Sequence, residues 1–122
     1  MPIRPKDFLR LAKELAYKSD EASLRTAISR AYYALLLNGR EIVEERFGYR
    51  VPRGPEAHRE VPRMLRRIGI NNNIEDFITL AREIKSLRIV RREADYDIDR
   101  PFRSQEEVRM LIERAERVKE RI

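Results

Sequence analysis

The run Ser29-Arg30-Ala31-Tyr32-Tyr33-Ala34-Leu35-Leu36-Leu37 decides how the rest of this chain is read. It lies inside a longer periodic stretch that runs to about Phe47, with Ser19 or Asp20 placed to cap its start. Leu24, Ile28, Ala31, Leu35 and Ile42 recur at helical spacing, and Tyr32, Leu36 and Val43 widen that stripe. From 31 to 37 the helix is apolar nearly all round, which predicts a central position or a subunit interface. Arg30 and the tyrosine pair interrupt this surface. A charge set beside a core needs a partner or a task, because burying it alone is expensive.

Working outward, Pro5 is suited to a first helical position, and Phe8, Leu11, Ala12, Leu15 and Ala16 follow at helical spacing. On the other side Gly48 stops the long helix. Tyr49 to Glu60, with Pro52, Gly54 and Pro55, reads as an irregular connection. Because proline is costly inside a helix, a third, short helix is expected from about Pro62 to Gly69. Asn71-Asn72-Asn73 supplies turn and cap chemistry, and Asp76 favours a following N-terminal turn. Ile74, Phe77, Ile78, Ala81 and Ile84 mark the inward face of a fourth helix that continues through Arg92 to Tyr96. Asp97-Ile98-Asp99-Arg100-Pro101 breaks it. Ser104 with Glu107 makes a capping box before a last helix carrying Val108, Leu111, Ile112, Ala115, Val118 and Ile122. No strand alternation or internal repeat persists. The expected fold is all-α, an up-and-down bundle of four long helices plus one short helix, forming a single domain over 1–122.

Composition excludes several chemistries. The chain has no cysteine and one histidine, His58, so disulfides, thiolate sites, cysteine nucleophiles and multi-histidine metal sites within one chain are out of reach. Nothing calls for a cofactor. The longest apolar run is too short to cross a bilayer and no signal-peptide core precedes the first helix, so a cytoplasmic protein without membrane contact is expected. The net charge of +6 comes almost entirely from arginine, which favours bidentate pairing with phosphate or carboxylate. Anionic partners such as RNA or nucleotides would explain the surplus, and so would a heat-adapted preference for Arg and Glu surface networks.

A second run, Leu87-Arg88 with Arg91-Arg92-Glu93-Ala94-Asp95-Tyr96-Asp97, lines cations and a carboxylate along another helix, with Arg88, Arg92 and Asp95 on one face. Two readings of both runs stay open. In one, Arg30 or Arg88 bridges to Asp95 or Asp97, tyrosine hydroxyls satisfy the remaining donors, and the network merely orders a dimeric scaffold. In the other, Arg88, Arg91 and Arg92 grip phosphate beside a dimer cleft, with Tyr33 or Tyr96 available for base stacking. The candidate ligand-binding set is therefore Arg30, Tyr33, Arg88, Arg91, Arg92, Asp95 and Tyr96. A further basic region, Arg50, Arg53, Arg59, Arg63, Arg66 and Arg67, reads either as a footprint for RNA or an acidic protein, or as a solvated charge run. Arg53 and His58 flank Gly54-Pro55 in the connection, off any helix face, and a loop histidine there is expected to be solvated or capping.

The motif Ser29-Arg30-Ala31-Tyr32-Tyr33-Ala34, followed about sixty residues later by Leu87-Arg88 and Ala94-Asp95-Tyr96-Asp97, resembles the HEPN superfamily (higher eukaryotes and prokaryotes nucleotide-binding domains), and most of all its small single-domain prokaryotic members. The resemblance implies a helical bundle that usually forms homodimers, a nucleotidyltransferase-type partner in toxin–antitoxin modules, and, in many relatives, metal-independent ribonuclease activity. Such ribonucleases carry a histidine four to six residues after an arginine near the end of the helix that holds Arg88. Here Asp95 stands where that histidine would be, and Leu37 replaces a histidine that some relatives place after the tyrosine pair. A carboxylate beside a phosphodiester would repel it. The sequence thus favours binding over catalysis, with a ribonuclease using Arg88 and Asp95 as the alternative.

Overall fold

The structure is a computed structural model and describes residues 3–122. Five α-helices make up the fold: α1 (Pro5–Ala16), α2 (Glu21–Glu41), α3 (Ala57–Asn72), α4 (Glu75–Tyr96) and α5 (Gln105–Glu120). No strand occurs among the described residues. As expected, Pro5 starts α1, Asp20 caps α2 by accepting the Ser23 N–H at 3.0 Å, and Ser104 caps α5 by accepting the Glu107 N–H at 3.1 Å. The Glu107 carboxylate does not complete a capping box; it lies 3.5 Å from Arg103.

Helix α2 is the axis of the bundle and touches all four other helices. Its apolar run is spent inside the chain: Ala31, Tyr32, Ala34 and Leu35 have no solvent exposure. Most of that run is therefore spent on the core, with Tyr33 and Leu37 left half-buried. A π-helical turn, Ile42–Arg46, extends α2 and keeps Ile42 and Val43 in the core. The chain then leaves through Gly48, whose φ of +71° is a left-handed value that a side chain would resist. Gly39 has a different duty. A Cβ there would sit 2.8 Å from Leu65 Cδ1 and 2.9 Å from Val61 Cγ1, so its absence lets α2 and α3 meet closely.

Helix α3 departs from expectation. It begins at Ala57 instead of Pro62, continues through a buried Gly69, and spans 16 residues. Pro62 sits inside it without the N–H that would reach back one turn, a defect of about 3 kcal/mol. Burial of Ala57, Val61, Leu65 and Ile68 on one stripe offsets that defect. The irregular connection is correspondingly shorter. Asn73 closes the helix at φ +58°, the left-handed cap that asparagine tolerates. Extending α3 back to Ala57 carries His58 out of the loop and onto a helix facing α2 and α4.

Candidate functional site

The two sequence runs meet through tyrosine rings. Tyr33 lies beside both the Arg30 guanidinium, 5.5 Å from its centroid, and the Arg91 guanidinium, at 5.4 Å. Arg91 also donates to Tyr33 Oη at 3.1 Å and lies 5.8 and 5.6 Å from the Tyr32 and Tyr96 centroids. Its Nε stands 2.8 Å from Asp95 Oδ2, an ion contact without hydrogen-bond alignment. Arg91 is the cation that takes Asp95, where the sequence reading looked to Arg30 or Arg88. With Arg91 only 15% exposed, this pair is part of the fold. Arg30 is held over Phe8 at 5.5 Å and reaches Ser29 Oγ at 3.4 Å, while its buried Nε has no partner.

Asp97 is held differently. Arg25, 9% exposed on α2, donates to four backbone carbonyls: Glu93 at 3.2 Å, Ala94 at 2.8 Å, Asp97 at 3.1 Å and Arg100 at 2.7 Å. Those oxygens are the open end of α4 and the turn beyond it, where a cation satisfies both unpaired acceptors and the helix dipole. Phe102 lies 5.0 Å from the Arg25 guanidinium. The sequence reading missed this residue, although an arginine between Leu24 and Ile28 on the core stripe was a signal that something inside required it.

On the other flank of α4 lies a groove of about 270 Å³ against α3, lined by His58, Arg59, Pro62, Lys85, Arg88, Ile89 and Arg92. Five of these seven side chains are basic and none is acidic. Among the described residues no carboxylate lies within ion-pair distance of Lys85, Arg88 or Arg92. Arg59 is the exception, 3.5 Å from Glu60. Elsewhere in the second basic region Arg53 pairs with Glu44 and Arg63 with Glu60, so part of that region is neutralised locally.

His58 joins the groove to the tyrosine pair. Its Nδ1 is 2.6 Å from Tyr32 Oη, and the two rings stack at 5.6 Å with an interplanar angle of 5°. Burial, then the charges of Arg91 and Arg88, push the His58 imidazole below its ordinary 6.5, so the ring is neutral at pH 7. Burial pushes the Tyr32 hydroxyl up to about 12, against the opposing pull of the same two arginines. Tyr32 therefore keeps its proton, and its bond to His58 links two neutral groups. With Oη donating to Nδ1, Nε2 carries the ring proton and can donate to an anion. With the roles reversed, Nε2 is a free base.

The structure thus divides the candidate residues. Arg30, Tyr33, Arg91, Asp95 and Tyr96 form one contact chain, whereas Arg88 and Arg92 belong to the groove with His58 and Lys85. The sequence reading assigned neither of the last two to a site. No group of three His, Asp or Glu side chains converges in a metal-like arrangement among the described residues. Among the described residues no helix is long and apolar enough to cross a membrane.

The chain is similar to the uncharacterized protein MJ0992 of Methanocaldococcus jannaschii, with 37% identity over 106 residues, covering 76% of this chain and 60% of that protein. The chain thus spans about 60% of the length of the relative it matches. No family model and no solved structure matches.

Proposed function

We propose that this chain is an HEPN-like nucleotide- or RNA-associated binding module whose ligand phosphates seat in the groove between α3 and α4. One observation carries the reading: Lys85, Arg88 and Arg92 converge beside a neutral imidazole with no carboxylate to neutralise them. In a chain with 21 acidic residues, three adjacent cations left without an ion pair point to an anion supplied from outside. Arginine forks and the imidazole N–H match phosphate oxygens, and the exposed Ile89 at the rim gives a ribose or base an apolar edge. The resemblance supplies the rest of the proposal, a nucleotidyltransferase-type partner in a toxin–antitoxin or related defence system. A small nucleotidyltransferase encoded next door that co-elutes with the chain supports it; a neighbour that does not bind removes it.

Titration of a short fluorescein-labelled single-stranded RNA, with AMP and ATP as competitors, tests the groove. Three phosphate contacts give a log–log salt slope of about −2, at about 0.7 per contact. A slope near zero, or no binding, overturns the proposal.

A second reading draws on His58. In place of Asp95, which is engaged by Arg91, a histidine stands in the groove with Arg88. With Nε2 unprotonated it can take the proton of a ribose 2′-hydroxyl while Arg88 holds the phosphate; the 2′-oxygen then bonds phosphorus, the P–O5′ bond breaks, and the 5′-oxygen leaves with a proton from the imidazolium or from water, giving a 2′,3′-cyclic phosphate.

A further inference from the structure

The groove at His58 is one end of a longer seam between α3 and α4. On α3, Pro62 lines the groove, and Gly69 lies so close to α4 that a Cβ there would meet Ile78 Cγ1 at 2.8 Å. Arg66 stands between these two levels, four residues after Pro62 and three before Gly69, in the row that faces α4. Helix α4 repeats the pattern. Lys85 and Ile89 line the groove, Ile78 meets Gly69, and Arg82 stands four residues after Ile78 and three before Lys85. The two contact levels therefore bring Arg66 and Arg82 to the same stretch of the seam, one from each helix. Both are exposed, and among the described residues neither has a carboxylate within ion-pair distance. Glu60 of α3 is taken by Arg59 and Arg63, and Glu83 of α4 is buried with Arg114. Glu75 lies seven residues before Arg82, about 10 Å down the helix axis.

With Lys85, Arg88 and Arg92, these two residues make a row of five cations that have no ion pair. Like charges brought together from two helices repel one another, and an anion shared along the row relieves that repulsion. From Arg92 to Arg82 the row runs ten residues of α4, about 15 Å at 1.5 Å per residue. A stacked strand advances about 3.4 Å per nucleotide, so this length takes about four to five nucleotides. A mononucleotide carries its charge at one end and engages only one end of the row. An acidic protein partner needs an apolar anchor at the centre of its contact. The Arg66–Arg82 stretch offers none, since Leu65, Ile68 and Ala81 are buried and Ile78 is packed on Gly69. We infer that the ligand is a polynucleotide, a single RNA strand lying along the α3–α4 seam. Its phosphates meet Arg88 and Arg92 at one end and Arg66 and Arg82 at the other. This assignment rests on the groove as a phosphate seat and adds Arg66 and Arg82 as binding residues.

Fluorescence anisotropy of fluorescein-labelled oligouridylates of three, six and ten nucleotides, titrated with the full chain, tests the length of the site. Affinity is expected to rise at least tenfold from three nucleotides to six, and to change less than threefold from six to ten. The log–log salt slope should steepen from about −2 for the trinucleotide to about −3.5 for the longest strand, five contacts at about 0.7 each. Arg66→Ala and Arg82→Ala should each weaken binding of the ten-nucleotide strand about fivefold and lower its slope by about 0.7. Both should leave trinucleotide binding and circular dichroism as in the wild type, because each side chain is exposed and unpaired. Equal affinity for three and ten nucleotides, with both variants silent, overturns the strand while the groove keeps its phosphate. If no oligonucleotide binds, the groove reading falls and the strand with it. Decaglutamate that displaces the ten-nucleotide strand as well as unlabelled RNA of that length overturns the choice of nucleic acid.

Discussion

Replacing Arg25 by methionine keeps the length of the side chain and removes its five donors. Four carbonyl acceptors lose a charged partner at once: those of Glu93, Ala94, Asp97 and Arg100. The Ala94 oxygen is buried and is left unsatisfied, a penalty of about 1–3 kcal/mol. The other three lie nearer the surface and recover part of their bonding from water. Loss of the helix-end charge interaction adds about 0.5–1 kcal/mol, and loss of the Phe102 contact a similar amount. Against these losses, methionine no longer has to desolvate a guanidinium. The balance is a destabilisation of about 3 kcal/mol, or about 10–15 °C in Tm for a domain of this size. Arg25→Lys keeps the charge but cannot reach four oxygens with one ammonium, and should fall about midway. Urea unfolding followed by circular dichroism at 222 nm reads the difference. A loss below about 1 kcal/mol for Arg25→Met would refute the view that this residue closes the end of α4.

Other expectations follow from the same geometry. Gly39→Ala adds a methyl 2.8 Å from Leu65 Cδ1, so overpacking should outweigh the gain in helix propensity and lower stability by about 1–2 kcal/mol in the same urea assay. For His58 the folded imidazole is held below 6.5 by burial, Arg91 and Arg88, so the unfolded chain takes up its proton first as pH falls. Stability should therefore drop as pH falls below 6.5 towards the folded value, and His58→Gln should flatten that part of the profile. For Tyr32, raised to about 12, the sign is opposite: the unfolded chain ionises first, and stability should fall as pH rises from 10 to about 12. If His58 is a base toward RNA, EDTA-treated protein will release 2′,3′-cyclic phosphate ends and His58→Gln will not. Intact RNA after prolonged incubation at high enzyme concentration rules that chemistry out.

The bundle itself was legible because α2, α4 and α5 announce themselves by periodicity and by Asp20 and Ser104 at their starts. Helix α3 was not, since Pro62 is a strong local signal to stop and the Ala57, Val61, Leu65, Ile68 stripe that overrides it acts through packing with α2. That one error left His58 in the loop as a solvated or capping residue, because a histidine placed there has no face and no neighbours. The Arg91–Asp95 pair lies at i, i+4 on one helix and was available from spacing alone. Arg25 was only half legible: its place on the core stripe and its i, i+4 spacing from Glu21, 3.4 Å away, were open to reading, but its four other partners are backbone oxygens, and no side-chain pattern reports where a helix end leaves its carbonyls.

The groove can be separated from the surrounding fold by one comparison: RNA affinity and melting temperature measured on the same Arg88→Ala and Arg92→Ala proteins. Neither side chain has an ion pair, so the account predicts that each substitution moves Tm by no more than about 3 °C. Each should nevertheless weaken RNA binding at least tenfold, about 1.4 kcal/mol, and reduce the salt slope by about 0.7. Unchanged RNA affinity in both variants, with or without a fall in Tm, would contradict it.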